Sequence, residues 1–227
     1  MVLSIIIPAY NEAKTIGRVL SLIQQLKLDF DWEVIVVDDG SIDLTEEVVK
    51  NSGCPVIYSR HEANLGKGSA IRTGIEKAKG DFILIQDADC EYSPGDYPKL
   101  LGPLLSKDAE VVYGSRILKK DNGRSSYSFY WGGRLLSWWA NLLYGSRITD
   151  EATCYKVFKS SLLKSLKLDC RGFEFCPEVT AKLLKRGIKI TEVPISYSPR
   201  TVAEGKKISW KDGVTAIWVL LKLRFIN

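Results

Sequence analysis

Short runs of β-branched apolar residues recur through the first half of the chain, each followed by a stretch with helical spacing. That alternation limits the fold more than any other feature. Leu3–Ile7, closed by Pro8, reads as a strand buried on both faces. Asn11 is placed to cap a helix running to about Lys27, with Ile16, Val19, Leu20, Ile23 and Leu26 on one stripe. Trp32–Val37 is a second buried strand, and Asp43 with Glu46 resembles a capping box for a helix to about Ser52. Val56–Ser59, Asp81–Gln86 and Val111–Tyr113 read as three further strands. Helices are expected over Ser69–Ala78, after Gly66 and Gly68, and over Pro98–Leu105. The rhythm predicts an α/β fold with a mostly parallel sheet and helices on both faces. No linker or repeat divides residues 1–227, so one domain is expected, elaborated after residue 115.

Three of the predicted strands end in unusual chemistry. Pro8-Ala9-Tyr10-Asn11-Glu12, Asp38-Asp39-Gly40-Ser41 and Asp87-Ala88-Asp89-Cys90-Glu91 each follow an apolar run. In a parallel sheet these clusters share one rim, at the carboxyl ends of the strands, where α/β sheets bind ligands. An Asp pair after a strand is commonly a turn device. Several carboxylates on one rim repel one another unless a cation joins them. A hard divalent cation with oxygen ligands, Mg²⁺ or Mn²⁺, suits such a site.

The ordered segments SIIIPAYNE, VIVVDDGSID, NLGKGSAIRTG, DFILIQDADCEY and VVYGSR resemble family 2 of the glycosyltransferases, over nearly the whole chain. Within it the chain is most similar to the dolichyl-phosphate or polyprenyl-phosphate hexose synthases. The resemblance implies the A-type glycosyltransferase fold, a Rossmann-like sheet with an Asp-x-Asp metal site. It implies transfer of a hexose, with inversion, from a nucleotide-diphosphate sugar of the GDP-mannose or UDP-glucose type to a polyprenyl (dolichyl) phosphate. Residues 1–115 would bind the nucleotide sugar and residues 116–227 the acceptor. Pro8, Tyr10, Glu12, Val37, Asp39, Asp87, Ala88 and Asp89 would line the nucleotide-sugar site. Asp39 would face the base or ribose, and Asp87 the ribose and sugar side. Asp89 would bind the metal bridging the pyrophosphate, with Glu91 a second ligand where the mannosyl branch commonly has Gln. Arg116 would face the phosphates or the acceptor. Arg200 and Lys206, in SPRTVAEGKKISW, would belong to a lid over the pyrophosphate.

A departing nucleoside diphosphate develops negative charge, which a divalent cation and basic side chains stabilise. Asp150, in ITDEATCYKVF, lies in the family's acceptor region: a candidate base for a hydroxyl acceptor, and otherwise an acceptor-binding residue. A phosphate monoester needs no base, because its second pKa is about 6. The single histidine, His61, reads as a loop or packing residue, and the processive motif QxxRW is absent. Glu174 and Glu178, spaced i, i+4 near Lys182 and Lys185, read as helical salt-bridge partners.

The net charge of +5 is concentrated from Arg200 onward, where six basic residues face two acidic ones. Five of the six tryptophans stand at or after Trp131. Leu135, Trp138, Trp139, Leu142 and Leu143 follow a helical stripe near Arg124, Arg134 and Arg147. A second amphipathic helix is expected from Ser209, with Asp212 completing a capping box and Trp210, Val214, Ile217, Trp218 and Leu221 along it. Such segments suit an interfacial helix on an anionic membrane surface or ordinary packing. The longest uncharged run is 12 residues, Leu135–Ser146, too short to span a bilayer. With no signal peptide apparent, a cytoplasmic protein held peripherally at a membrane is expected. The five cysteines lack CxxC spacing, which argues against a disulfide framework or structural zinc. A transferase acting on a sugar hydroxyl is the alternative. Sugar nucleotidyltransferases would need a basic, glycine-rich loop where PAYNEAK stands, and no nucleic-acid partner is expected because no such motif accompanies the basic tail.

Overall fold

The computed structural model describes residues 1–123, 127–200 and 207–226. Its strands are β1 (Val2–Ala9), β2 (Asp31–Asp38), β3 (Val56–Arg60), β4 (Phe82–Ile85), β5 (Val111–Ser115), β6 (Lys156–Lys159) and β7 (Thr191–Pro194). The helices are α1 (Ile16–Gln24), α2 (Thr45–Lys50), α3 (Lys67–Lys77), α4 (Tyr97–Leu105), α5 (Tyr127–Tyr144), α6 (Ser160–Ser165), α7 (Phe175–Lys185) and α8 (Trp210–Phe225). The described strands form one sheet in the order β3-β2-β1-β4-β6-β5-β7. β1 pairs in parallel with β2 and β4, and β2 with β3, as the apolar runs predict. β6 enters antiparallel between β4 and β5. Neither β6 nor β7 was legible, because KVFK and TEVP are four residues each and carry charge.

Alternation along the strands divides the core into two layers. Leu3, Ile5, Ile7, Val34 and Val36 pack under α1 and α4. Ile6, Ile35, Val37, Ile83 and Ile85 pack under α3 and α7. Helix α1 buries the expected Ile16, Val19, Leu20 and Ile23 but begins five residues beyond Asn11. Asn11 instead adopts φ +52°, its backbone N–H donating to Ser41 Oγ at 2.9 Å and its Oδ1 accepting from Ile42 N at 2.9 Å. Its short polar side chain tolerates the left-handed conformation and ties the loop after β1 to the loop after β2. Asp43 is likewise no helix cap: it accepts from Thr45 N at 3.0 Å and Ala13 N at 3.1 Å, joining the same two loops. The capping box of Ser209 and Asp212 forms as expected.

Helices α5 and α8 lie side by side, with Trp139 Nε1 donating to Ile217 O at 3.3 Å and Tyr144 Oη to Leu220 O at 2.7 Å. The apolar stripe of α5 therefore splits. Leu136, Trp139 and Leu143 pack beside Ala140 and Leu220, while Trp131, Leu135, Trp138 and Leu142 face outward. On α8, Trp210, Val214, Trp218 and Phe225 are exposed in the same way. No helix among the described residues is long and apolar enough to cross a membrane.

Candidate active site

The parallel register brings the ends of β1, β2 and β4 to one rim, where Asp39 N donates to Ala9 O at 2.8 Å and Gln86 N to Ile6 O at 2.9 Å. A cavity of about 390 Å³ opens there. Pro8, Tyr10, Glu12, Asp39, Asp87, Ala88, Asp89, Glu91, Arg116 and Arg200 all line it. Val37 does not: it is fully buried beneath α3, because its β2 position points into the sheet's other face. Lys206 lies outside the described residues, as does Arg124.

Asp39 is held on every side. Its Oδ1 takes His61 Nδ1 at 2.7 Å and Leu65 N at 2.9 Å, and its Oδ2 takes Gly66 N at 2.7 Å. His61 Nε2 meets Thr73 Oγ1 at 3.0 Å, so the histidine is a packing residue that orients Asp39. Gly66 has φ +97°, and a Cβ there would come 2.4 Å from Arg171 O. Only glycine lets the loop around residues 171–172 approach this closely and accept hydrogen bonds from Gly68 N and Ser69 N, both at 3.0 Å.

The Asp-x-Asp segment is kinked at Cys90, a non-glycine at φ +60°, a conformation found where surrounding structure or function demands it. Asp87 pairs with Lys67 at 2.6 Å. Asp89 and Glu12 share the Arg200 guanidinium at 2.7 Å and 3.2 Å, with Glu91 at 3.9 Å. Glu91 also accepts from Tyr197 Oη at 2.9 Å and Arg200 N at 2.8 Å. Lys207 reaches Glu12 at 2.8 Å and the carbonyl of Tyr10. Burial, followed by the charges of Asp87 and Glu91, pushes the Asp89 carboxyl up to about 6, against the pull of Arg200. The three carboxylates around Arg200 form a place built for positive charge and lined with hard oxygen donors, which fits Mg²⁺ or Mn²⁺. Among the described residues no three acidic, histidine or cysteine side chains form a cage alone. Mg²⁺ sites built on one or two carboxylates are completed by water and substrate phosphates.

Lys67, Tyr197 and Phe173 also line this cavity and were missed in the sequence. Lys67 had a signal, a lone cation between Gly66 and Gly68 at a helix start. Tyr197, stacked 5.1 Å from the Arg116 guanidinium, had none.

A second cavity, of about 900 Å³, runs between α5 and α8 and shares Arg116, Ala152, Tyr197 and Ile208 with the first. Lys119, Lys120, Arg134 and Asp150 are among its polar lining. Asp150 receives Arg116 Nε at 2.7 Å, Arg116 Nη2 at 2.6 Å and Arg116 N at 2.9 Å. Burial works to raise the Asp150 carboxyl, but the Arg116 charge and these hydrogen bonds hold it below the usual carboxylate range. Glu192 Oε1 in turn accepts from Asp150 N at 2.9 Å.

The model of glycosyl transferase family 2 matches residues 4–166. The chain belongs to that family. It is a glycosyltransferase using a nucleotide sugar, related to polyprenyl-phosphate sugar transferases. This family 2 chain is 33% identical to the UDP-N-acetylglucosamine–dolichyl-phosphate N-acetylglucosaminyltransferase of Methanococcus voltae, with 90% of this chain and 89% of that protein covered. It is 27% identical to the dodecaprenyl-phosphate galacturonate synthase of Rhizobium johnstonii, covering 87% of this chain but 59% of that longer protein. The fold matches glucosyl-3-phosphoglycerate synthase of Mycobacterium tuberculosis, solved with Mn²⁺ and UDP, at TM-score 0.76 and 23% identity over 99% of this chain and 80% of that one. The sheet is thus the A-type glycosyltransferase fold expected from the motifs. Family membership places the chain among the glycosyltransferases rather than the sugar nucleotidyltransferases.

Proposed function

We propose that the protein transfers a hexose or related sugar from a nucleoside-diphosphate sugar to a polyprenyl phosphate at a membrane surface. The observation that carries this reading is the second cavity. It meets the rim cavity at Arg116 and Tyr197 and lies between two helices whose outer faces carry Trp131, Trp138, Trp210 and Trp218. Residues 1–115 and the segment ending at Arg200 hold the donor, with Lys67, Arg200 and Lys207 facing its diphosphate. The acceptor phosphate lies against Arg116, with Lys119 and Lys120 near, and its chain runs between α5 and α8.

An acceptor phosphate oxygen attacks the anomeric carbon as the bond to the diphosphate breaks, which inverts the configuration. The attacking phosphate is already a dianion near neutrality and gives up no proton. Asp150 therefore acts here by fixing the Arg116 guanidinium rather than as a base. Asp89, with Glu91 beside it, would hold Mg²⁺ or Mn²⁺, which offsets charge on the departing diphosphate when bound. Arg200 and Lys207 add fixed positive charge at the same place. The names of the relatives make UDP-N-acetylglucosamine the first donor to test. With radiolabelled donor, Mn²⁺ and a short polyprenyl phosphate, label should move into the organic phase as an acid-labile sugar phosphate. Label transferred only to a soluble hydroxyl acceptor would overturn the lipid-phosphate reading in favour of the sugar-hydroxyl alternative.

A further inference from the structure

We propose that Cys154 and Cys176 form a thiol-modification site in the wall of the rim cavity, one that takes a low-molecular-weight disulfide and closes to an intramolecular disulfide. Neither thiol has a part in sugar transfer as described above. Cys154 lines the cavity, so its sulfur is within reach of a small molecule entering there. Its Sγ stands 3.8 Å from Cys176 Sγ. Cys176 is buried behind it as the second residue of α7, its Sγ donating to Thr153 O at 3.3 Å. A cation completes the arrangement: Lys67 Nζ donates to Cys154 Sγ at 3.1 Å.

The pair has the parts that thiol–disulfide exchange requires. The reacting species is a thiolate, which a neighbouring ammonium and a helix N-terminus both favour. Lys67 serves Cys154, and the start of α7 serves Cys176. The hydrogen bond with Cys154 draws the Cys176 thiol below its ordinary value, burial opposes that, and the charge of Lys156 assists it. The same hydrogen bond, with burial, pushes the Cys154 thiol well above its ordinary value against the charge of Lys67, so the first proton lost leaves the thiolate on Cys176, and Cys154 becomes the nucleophile when its proton passes across the shared hydrogen bond. Cys154 is the one that an incoming disulfide meets.

Cys154 Sγ attacks one sulfur of the small disulfide. The incoming S–S bond breaks, a mixed disulfide forms on Cys154, and one small thiol leaves with the proton that the pair gave up. Cys176 Sγ then attacks Cys154 Sγ, loses its own proton, and releases the second small thiol. Two protein thiols are oxidised and one disulfide is reduced to two thiols. A disulfide bond is about 2.05 Å long, so the sulfurs must approach by about 1.8 Å from their present separation. Lys156 helps fix the loop that carries Cys154, its buried ammonium donating to Glu151 O at 2.9 Å and to Thr153 O.

The test uses the full chain treated with excess hydroxyethyl disulfide, without nucleotide, and read by intact mass and peptide mapping. The wild-type protein should lose two hydrogens, with Cys154 and Cys176 recovered in one cross-linked pair of peptides. Cys176→Ser should stop at the mixed disulfide on Cys154, and Cys154→Ser should leave Cys176 unmodified. Absence of the cross-link, pairing with another cysteine, or modification of Cys176 at the wild-type rate in Cys154→Ser would overturn the site. A parallel reaction with UDP and Mn²⁺ present should run at least about tenfold slower, as expected for a cavity filled well above its dissociation constant. If the pair closes at an unchanged rate in that reaction, the donor reading of the cavity fails while the thiol site stands.

Discussion

Asp89 carries a charge where burial and two neighbouring carboxylates oppose it, which raises its carboxyl to about 6. A hard cation needs the carboxylate, so a proton competes with it, and metal-supported affinity is lost as pH falls below that value. UDP affinity in the presence of Mn²⁺, measured by calorimetry, should hold above about pH 6 and fall roughly tenfold per unit below it, one pK unit being about 1.4 kcal/mol. The dependence should vanish in Asp89→Asn together with the proposed metal requirement. A flat profile would remove Asp89 from the metal site. Asp150 makes the opposite case, a carboxylate whose charge is stabilised by Arg116. Breaking a buried ion pair from one side costs about 3–5 kcal/mol. Asp150→Asn should show most of that loss in urea unfolding. It should also raise the KM for the lipid phosphate while leaving UDP binding intact; a variant altered only in a pH-dependent kcat would mark Asp150 as a base. The residues of this site were legible where they end strands, because an apolar run followed by carboxylates is a local pattern. That Val37 turns its side chain away from the cavity was not legible, because resemblance fixes position along the chain, not the face of the sheet to which a side chain turns. Tyr197 was invisible because its partners lie far away in sequence.

Among the elements, α5 and α8 join local signals to a tertiary outcome. The capping box at Ser209 was readable from residues three apart, and so were the tryptophan stripes. Which half of each stripe would be covered was not, because that depends on how the helices pack together. The uncovered half, with Trp138 on α5 and Trp218 on α8 exposed, is the face that the proposed membrane contact would use. Each large apolar side chain buried contributes at most about 1.5–3 kcal/mol, and each Lys or Arg near an anionic surface about 1 kcal/mol. Replacing Trp138 and Trp218 together by Ser should therefore weaken co-sedimentation with anionic liposomes by tenfold or more, on the order of 1.4 kcal/mol per decade, with UDP binding unchanged. Salt should weaken the wild-type interaction too, since screening shortens to about 3 Å at 1 M. A protein that stays in the supernatant at low salt would deny these faces a membrane role. The entry of β6 between β4 and β5 follows the same rule: with Lys156 and Lys159 in four residues, nothing local announces an internal strand.

At the scale of the whole molecule, the alternation of apolar runs and helices was enough to foresee β1 through β5 and a rim rich in carboxylates. The second half was legible only in pieces, because its geometry comes from long-range ties such as Asn122 Nδ2 donating to Ile195 O at 2.9 Å and the backbone N–H of Asp150, Arg116's partner, donating to Glu192 Oε1 at 2.9 Å. Those ties help set Arg116 and Tyr197 where, with Ala152 and Ile208, they line both cavities. If the rim cavity seats the donor and the second cavity the acceptor, as proposed above, the shared wall lets both substrates be seated together. A single molecule carrying a nucleoside diphosphate at one end and an isoprenoid phosphonate at the other would then occupy both chambers at once. Linked occupants face an effective concentration in the millimolar range, which raises affinity by about 10²–10⁴ over either half alone. Surface plasmon resonance with the joined and separate halves should show that gain, and equal affinities would mean that the two chambers cannot be filled together. On the proposed reading, a selective inhibitor is a tether that passes Arg116 and Tyr197, the residues lining both cavities.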